Sequence, residues 1–236
     1  ASEGPEVIYR NGYYYLFLAY GTLAVEYNTR VCRSVNIDGP YVDMDGTPAM
    51  GSGELYPILT APYLFNNSYG WVGISHCGIF EDGEGNWFYT SQGRFPANVG
   101  GNEYSNAIMM GHVRSIRWDA NGWPLVMPER YGAVPQVPIT EEEIAGNWEH
   151  LSLTSSTSTQ RTSETLTFDA GTHKISSGSW KDASWTFDAA SQTITTSAGG
   201  VLYLQTEVDW EATPRTHTIV YAAQGNKKTY WGKKVQ

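Results

Sequence analysis

Along most of the chain apolar and polar positions alternate at the two-residue period of half-buried strands, in short runs separated by Gly, Asn, Asp and Pro. Glu6 to Tyr9 leads through Asn11-Gly12 into Tyr13 to Tyr20. Asn-Gly between two apolar runs is the strongest short hairpin signal. A strand follows over Thr29 to Val35, then a turn from Asn36 to Pro40 and a short strand at Tyr41 and Val42. Leu55 to Phe65 carries Pro57 and Pro62 and reads as an edge strand or loop, because proline cannot donate to a ladder. Trp71 to Ile74 runs on into Ser75 to Phe80, and the turn Glu81 to Asn86 feeds Trp87 to Thr90. After a glycine-rich loop come Ile108 to Trp118, the turn Asp119 to Gly122, and Trp123 to Val126.

These two passages share one order: strand, turn, aromatic strand, long loop, a strand with Arg-Ser, a Gly turn, a short strand. Arg33-Ser34 ahead of Asp38-Gly39-Pro40 corresponds to Arg114-Ser115 ahead of Asn121-Gly122-Trp123-Pro124. Aligning the first strands sets His76 opposite Glu3, 73 residues on. Repeated four-stranded units of this kind spell a β-propeller. Two units cannot close a ring, and the first motif is already under way at Ala1, so the reading expects further units upstream.

Pro128, Pro135 and Pro138 mark an extended run, and every Lys of the chain lies beyond it. This places a boundary near Thr140, dividing the chain into 1–139 and 140–236. Thr140 with Glu143 has the form of a capping box around one helical turn. Short strands then recur: Trp148 to Leu153, Glu164 to Phe168, Thr172 to Ile175, Ser179 to Lys181, Ser184 to Asp188, Thr193 to Thr196, Gly200 to Leu204, Thr216 to Ala223 and Thr229 to Trp231. Turn signals about every eight to twelve residues predict a second β unit, barrel or sandwich. The fold class is all-β throughout.

Composition sharpens this picture and excludes some functions. The 16 Tyr, 9 Trp and 25 Gly favour strands and turns over helices. A net charge of −9 argues against nucleic acid, whose phosphates call for a basic face. No apolar run approaches the roughly 18–20 residues that span a bilayer, so no membrane partner is expected. Cys32 and Cys77 could pair, but their apolar, strand-like settings favour two separate buried thiols.

Candidate chemistry centres on Glu3. Innermost propeller strands start at the central channel, so a residue just ahead of such a strand points into it. A carboxyl partly desolvated there holds its proton more firmly and can act as a general acid. His76 falls at the matching place in the second unit. Glu6 lies inside its strand and reads as structural. His112, His150, His173 and His217 show no metal spacing.

Glu3-Gly4-Pro5, followed by Asn11-Gly12-Tyr13-Tyr14-Tyr15-Leu16-Phe17, resembles the general-acid motif of family 43 glycoside hydrolases. The similarity continues through Val25-Glu26-Tyr27-Asn28, Arg30 to Ser34 and Asp38 to Tyr41. Ser75 to Phe80 and Ser91 to Phe95 resemble the last blade of the arabinanases in that family, and Pro128 to Tyr131 closes it. The resemblance covers Ser2 to about Val134. It implies part of a five-bladed propeller, secreted or facing the cell envelope, that cuts arabinan or arabino-oligosaccharides with inversion. In its terms Glu3 is the general acid and His76 binds an ion usually taken as calcium, with water filling the remaining positions. The general base and a second, orienting aspartate lie before Glu3 in the family order. They would come from an N-terminal fragment of the same protein.

Tyr20, Phe95 and Trp71 are candidates to stack on sugar rings, and core packing is the competing role for each. Arg94 could reach a sugar hydroxyl or the acid, or make a salt bridge. Gly146-Asn147-Trp148 resembles the opening of lipocalins, so the C-terminal unit is expected to be a lipocalin-like barrel with no catalytic constellation. A β-xylosidase or arabinofuranosidase of the same family, and a non-catalytic carbohydrate-binding fragment, are the alternatives.

Overall fold

A computed structural model describes residues 2–51 and 53–236. Ala1, where the first motif begins, lies outside them. Among the described residues there is no α-helix; two 3-10 turns, Ser105–Ala107 and Glu141–Glu143, interrupt a chain of strands. The first sheet joins β1 (Ser2–Arg10), β2 (Tyr13–Tyr20), β3 (Asn28–Ser34) and β4 (Ile58–Thr60) in chain order. A short β5 (Tyr63–Leu64) follows. The second sheet joins β6 (Gly78–Glu81), β7 (Trp87–Arg94), β8 (Met109–Trp118) and β9 (Pro124–Val126), again in chain order. The repeat read from the sequence is thus two antiparallel four-stranded meanders.

Local chemistry explains the hairpins. Asn11 and Gly12 both take positive φ, 49° and 87°, as a tight turn between twisted strands requires. Along β2 the alternation buries Tyr15, Phe17 and Ala19 on one face. Two expected strands are shorter than read. Tyr41 and Val42 make only a bridge from Val42 to Arg33 and Pro48. Trp71 to Ile74 pair only through bridges, Trp71 to Tyr63 and Val72 to Arg94, because Gly70 and Gly73 turn the backbone to φ 65° on either side.

The C-terminal strands are β10 (Gly146–Leu153), β11 (Arg161–Thr162), β12 (Glu164–Asp169), β13 (Lys174–Ile175), β14 (Trp185–Asp188), β15 (Thr193–Thr196), β16 (Gly200–Asp209), β17 (Thr216–Gly225) and β18 (Lys228–Lys234). Eight of them run β13-β12-β10-β18-β17-β16-β15-β14, and a bridge from Lys174 to Ser184 brings the two edges together in a near-closed barrel. Ser179 to Lys181, expected as a strand, is a turn in which Lys181 N–H donates to Gly178 O, and this lets Trp180 fold into the barrel. The interior is filled by Trp148, Phe168, Trp185, Tyr221 and Tyr230. The Thr140–Glu143 capping box is present.

The barrel packs on the outer edges of both sheets. Thr229 Oγ1 donates to Ile58 O at 2.5 Å, Trp231 Nε1 to Val126 O at 2.9 Å and Gln224 Nε2 to Pro124 O at 2.6 Å. β5 pairs in parallel with β11, adding a second seam. One hydrophobic core runs from Phe17 and Tyr89 in the sheets to Leu151, Val220 and Trp231 in the barrel. Strands β1 and β6, at the opposite edges, are left to form the site. Cys32 and Cys77 are separate, buried and free, and burial pushes each thiol up to about 12.

Candidate active site

The site begins with a bulge. β1 pairs Glu3 with Ala19 and Glu6 with Phe17, so one extra residue is taken up at Gly4-Pro5. Bulges of this kind re-aim a side chain, here that of Glu3. Gly4 has φ 57°, and a Cβ on it would lie 3.0 Å from the His76 ring. Glycine therefore lets the imidazole rest directly on the β1 backbone. His76 itself takes φ 57°, an uncommon conformation for a residue with a side chain. It stands exposed between buried Ser75 and Cys77, just ahead of β6.

Tyr27 joins the two. Its hydroxyl donates to Glu3 Oε1 at 2.5 Å and its oxygen lies 3.2 Å from His76 Nδ1. Tyr27 is 1% exposed, whereas Glu3 and His76 are exposed. Burial, and then the hydrogen bond to and charge of Glu3, push the Tyr27 phenol well above its ordinary value, so it stays protonated and remains a donor. A phenol has one proton. With that proton on the Glu3 side, Nδ1–H of His76 donates to the Tyr27 oxygen.

The loop carrying Tyr27 is firmly held. Asn28 Nδ2 donates to Tyr20 O at 3.1 Å and Glu26 O at 2.9 Å, while Glu26 accepts from Thr22 N–H and hydroxyl at 3.1 and 2.8 Å. Beneath it Thr29 Oγ1 meets Ser75 Oγ at 2.7 Å and Tyr89 OH at 2.8 Å. Ser75 Oγ also donates to Asn28 O at 3.0 Å, so the residues just before Thr29 and His76 share one buried hydroxyl network. Glu6 accepts from Ile79 N–H at 3.2 Å and fastens β1 to β6. It is a structural carboxylate, as read.

The other sequence candidates fall into three settings. Tyr20 is half-buried with the Arg30 guanidinium 4.7 Å from its ring centre. Phe95 stacks on Trp71 at 4.8 Å and 15°, and Trp71 meets the His112 ring edge-on at 4.4 Å. Arg94 is buried, donates through a terminal nitrogen to Asn106 O at 2.9 Å, and leaves Nε without a partner. Its hydrogen bond goes to a loop carbonyl, and no salt bridge to it occurs among the described residues. Tyr27 was not singled out from the sequence. The signal was its place in Val25-Glu26-Tyr27-Asn28, inside the stretch that carries the family resemblance.

Around His76 the described residues bring together no group of three His, Cys, Asp or Glu ligand atoms, and an imidazole by itself is a poor fit for calcium, which prefers oxygen. The acidic side chains close enough to share an ion are Glu129, Asp209 and Glu211. There Lys233 Nζ already sits 2.9 Å from Asp209 and from Glu211 and 3.4 Å from Glu129. A cleft of about 560 Å³ between the second sheet and the barrel is lined by Trp87, Tyr131, Gln136 and Gln192. Gln136 and Gln192 spend their amide groups on Val134, Thr206, Ile139 and Ala189 backbone. Glu3, Tyr27 and His76 instead meet where β1 and β6, the inner edges of the two sheets, come together.

Two successive blades, a carboxyl, phenol and imidazole joined across their inner strands, and a filled C-terminal barrel define a β-propeller protein with an acid-centred site and an accessory barrel. The chain belongs to glycosyl hydrolases family 43, whose model matches residues 1–124. A C-terminal lipocalin-like domain matches residues 128–232. The chain is 31% identical over 168 residues to extracellular endo-α-(1→5)-L-arabinanase 2 of Bacillus subtilis, covering 62% of this chain and 34% of that protein. It is 30% identical over 168 residues to the extracellular endo-α-(1→5)-L-arabinanase of Thermotoga petrophila, covering 63% and 34%. It thus spans about a third of the length of the curated relatives it matches. Among solved structures it superposes on a family 43 glycoside hydrolase from Bacillus licheniformis with a TM-score of 0.83 at 23% identity, covering 100% of this chain and 56% of that one. The T. petrophila endo-1,5-α-L-arabinanase gives a TM-score of 0.81 at 24% identity, covering 100% and 55%. These likenesses show the fold.

Proposed function

We propose that the protein hydrolyses α-1,5-linked L-arabinofuranose bonds of arabinan, with Glu3 as the general acid. The observation that carries this reading is the Tyr27-anchored Glu3 carboxyl beside His76 in a family 43 blade. Two relatives named as extracellular arabinanases support the substrate and a location outside the cell or in its envelope.

The mechanism is inverting. The Glu3 proton passes to the glycosidic oxygen as the bond to the anomeric carbon breaks. An aspartate from a part N-terminal to this chain removes a proton from the water that attacks the opposite face. Inversion needs the two carboxyls roughly 6.5–9.5 Å apart to admit that water. The base is assigned to that other part by resemblance, because both aspartates precede the general-acid motif in the family's chain order. Arg94, Tyr20 and Phe95 are proposed to meet the sugar. By resemblance to its family, His76 is proposed as the one protein ligand of a calcium ion otherwise held by water, and no proton transfer is routed through that ion.

A β-xylosidase reading has one point in its favour: the chain is 27% identical over 162 residues to a putative β-xylosidase of Escherichia coli. Assaying the active protein on linear arabinan and on xylo-oligosaccharides separates the two. Release from arabinan is expected. Release from xylo-oligosaccharides alone contradicts the assignment.

A further inference from the structure

We propose that Tyr27 is a positioning residue for the acid: its hydroxyl fixes one oxygen of the Glu3 carboxyl and so presents the other, with its proton, to the leaving oxygen. The inference rests on the reading of Glu3 as the general acid. Three features of the site lead to it.

Glu3 lies exposed on an edge strand, where a glutamate side chain is otherwise free to change rotamer. Tyr27 is its side-chain anchor, at 2.5 Å on Oε1. The anchor is itself immobile, buried in a loop clamped by Asn28 and Glu26. An exposed acid is thus tied to a buried donor.

The direction of the bond is also fixed. A phenol that donates to Oε1 leaves Oε2 to carry the carboxyl proton. His76 Nδ1, 3.2 Å from the same phenol oxygen, supplies the complementary donor and keeps the phenol proton turned toward Glu3.

The bond strengthens as the reaction proceeds. Before transfer Tyr27 donates to a neutral carboxyl; afterwards it donates to a carboxylate. Charge-assisted hydrogen bonds are shorter and stronger than neutral ones. Stabilisation that grows along the reaction coordinate lowers the barrier, whereas equal binding of ground and transition states does not. Tyr27 therefore assists proton donation without touching the substrate.

The test compares Tyr27→Phe with the parent in the active protein on two substrates. One is linear arabinan. The other is an arabino-oligosaccharide with a nitrophenyl leaving group, whose oxygen departs without a proton. On arabinan kcat is expected to fall roughly 10- to 100-fold, the loss expected when a hydrogen bond to a charged group is removed, with KM within about twofold. On the nitrophenyl substrate kcat is expected to change by less than about threefold, since proton donation contributes little there. Equal losses on both substrates would mean a merely structural role and overturn the proposal, as would no loss on either. Replacing Tyr27 by 3-fluorotyrosine keeps the packing where Tyr27→Phe fails to fold; the arabinan rate should then change while the nitrophenyl rate holds, and an unchanged arabinan rate counts against the proposal. Glu3→Gln separates the two levels. A fully active Glu3→Gln removes the general-acid reading itself, whereas an inactive Glu3→Gln beside a fully active Tyr27→Phe removes only this inference.

Discussion

A carboxyl on an edge strand, a buried phenol and an imidazole in a left-handed turn meet here only because a glycine stands between them. Gly4 combines φ 57° with an approach to the His76 ring that a methyl would close to 3.0 Å. Gly4→Ala must pay for both the backbone and the contact, about 1 to 3 kcal/mol for a strained residue of this kind. The expected result is a lower melting temperature together with a larger fractional loss of arabinan turnover, because the clash displaces His76 and the bulge that aims Glu3. A variant that matches the parent in both would show that the bulge does not need glycine. From the sequence Glu3 and His76 read as standing just ahead of strands; His76 does precede β6, but Glu3 lies inside β1, paired with Ala19 ahead of the bulge. Tyr27 was not legible in the sequence. It lies 24 residues from Glu3 in chain order, and no spacing rule links a loop tyrosine to a strand it meets only after folding.

At the scale of elements, the meanders were legible because Asn11-Gly12 and Asn121-Gly122 punctuate clear alternation. What escaped was how far each ladder extends. Trp71 to Ile74 has the apolar run of a strand, but Gly70 and Gly73 take φ 65° and bend it away from continuous pairing. Close packing between strands leaves a similar mark at Gly93 of β7. A Cβ there would sit 2.3 Å from His112 of β8, whose ring is wedged against Trp71. Gly93→Ala is expected to cost about 1 to 3 kcal/mol, the usual range for overpacking, seen as a lower midpoint in urea unfolding. An unchanged midpoint would mean that His112 has room to move. His112 is buried with both ring nitrogens unpartnered, and burial first, then Arg114 and Arg130, bring it down to about 2, so it is neutral throughout the working range.

At the scale of the whole molecule the barrel and blades are joined by a buried charge cluster that no local pattern announces. Lys233 on β18 reaches Asp209, Glu211, Glu129 and Glu149, with Asn66 N–H donating to Glu149 at 2.5 Å from the blade side. The participants come from five separate stretches of chain, so only the finished fold reveals them. Burial, and then the neighbouring Glu211, hold the Glu129 carboxyl well above the ordinary carboxylate range. In the folded protein Glu129 therefore keeps a proton that the unfolded chain releases near about pH 4.3. The folded state binds more protons, so this group's contribution to stability falls as pH rises above that value. Glu129→Gln carries no proton to lose. Its melting temperature relative to the parent should climb steadily from pH 5 to pH 8; a difference that stays flat across that range would mean that Glu129 is ionised in the fold. Proline and lysine usage suggested a boundary near Thr140, but nothing in the sequence marked the core shared by sheets and barrel, because apolar faces that meet between units look like any other strand face.

Replacing the acid itself tests the account most directly. Glu3→Gln keeps the shape of the side chain and can still accept from Tyr27, but it cannot give up a proton. With the active protein on linear arabinan, the initial rate is predicted to fall roughly 100- to 10,000-fold, the contribution usual for general acid catalysis, with an unchanged melting temperature. Undiminished turnover in a folded Glu3→Gln protein would contradict it.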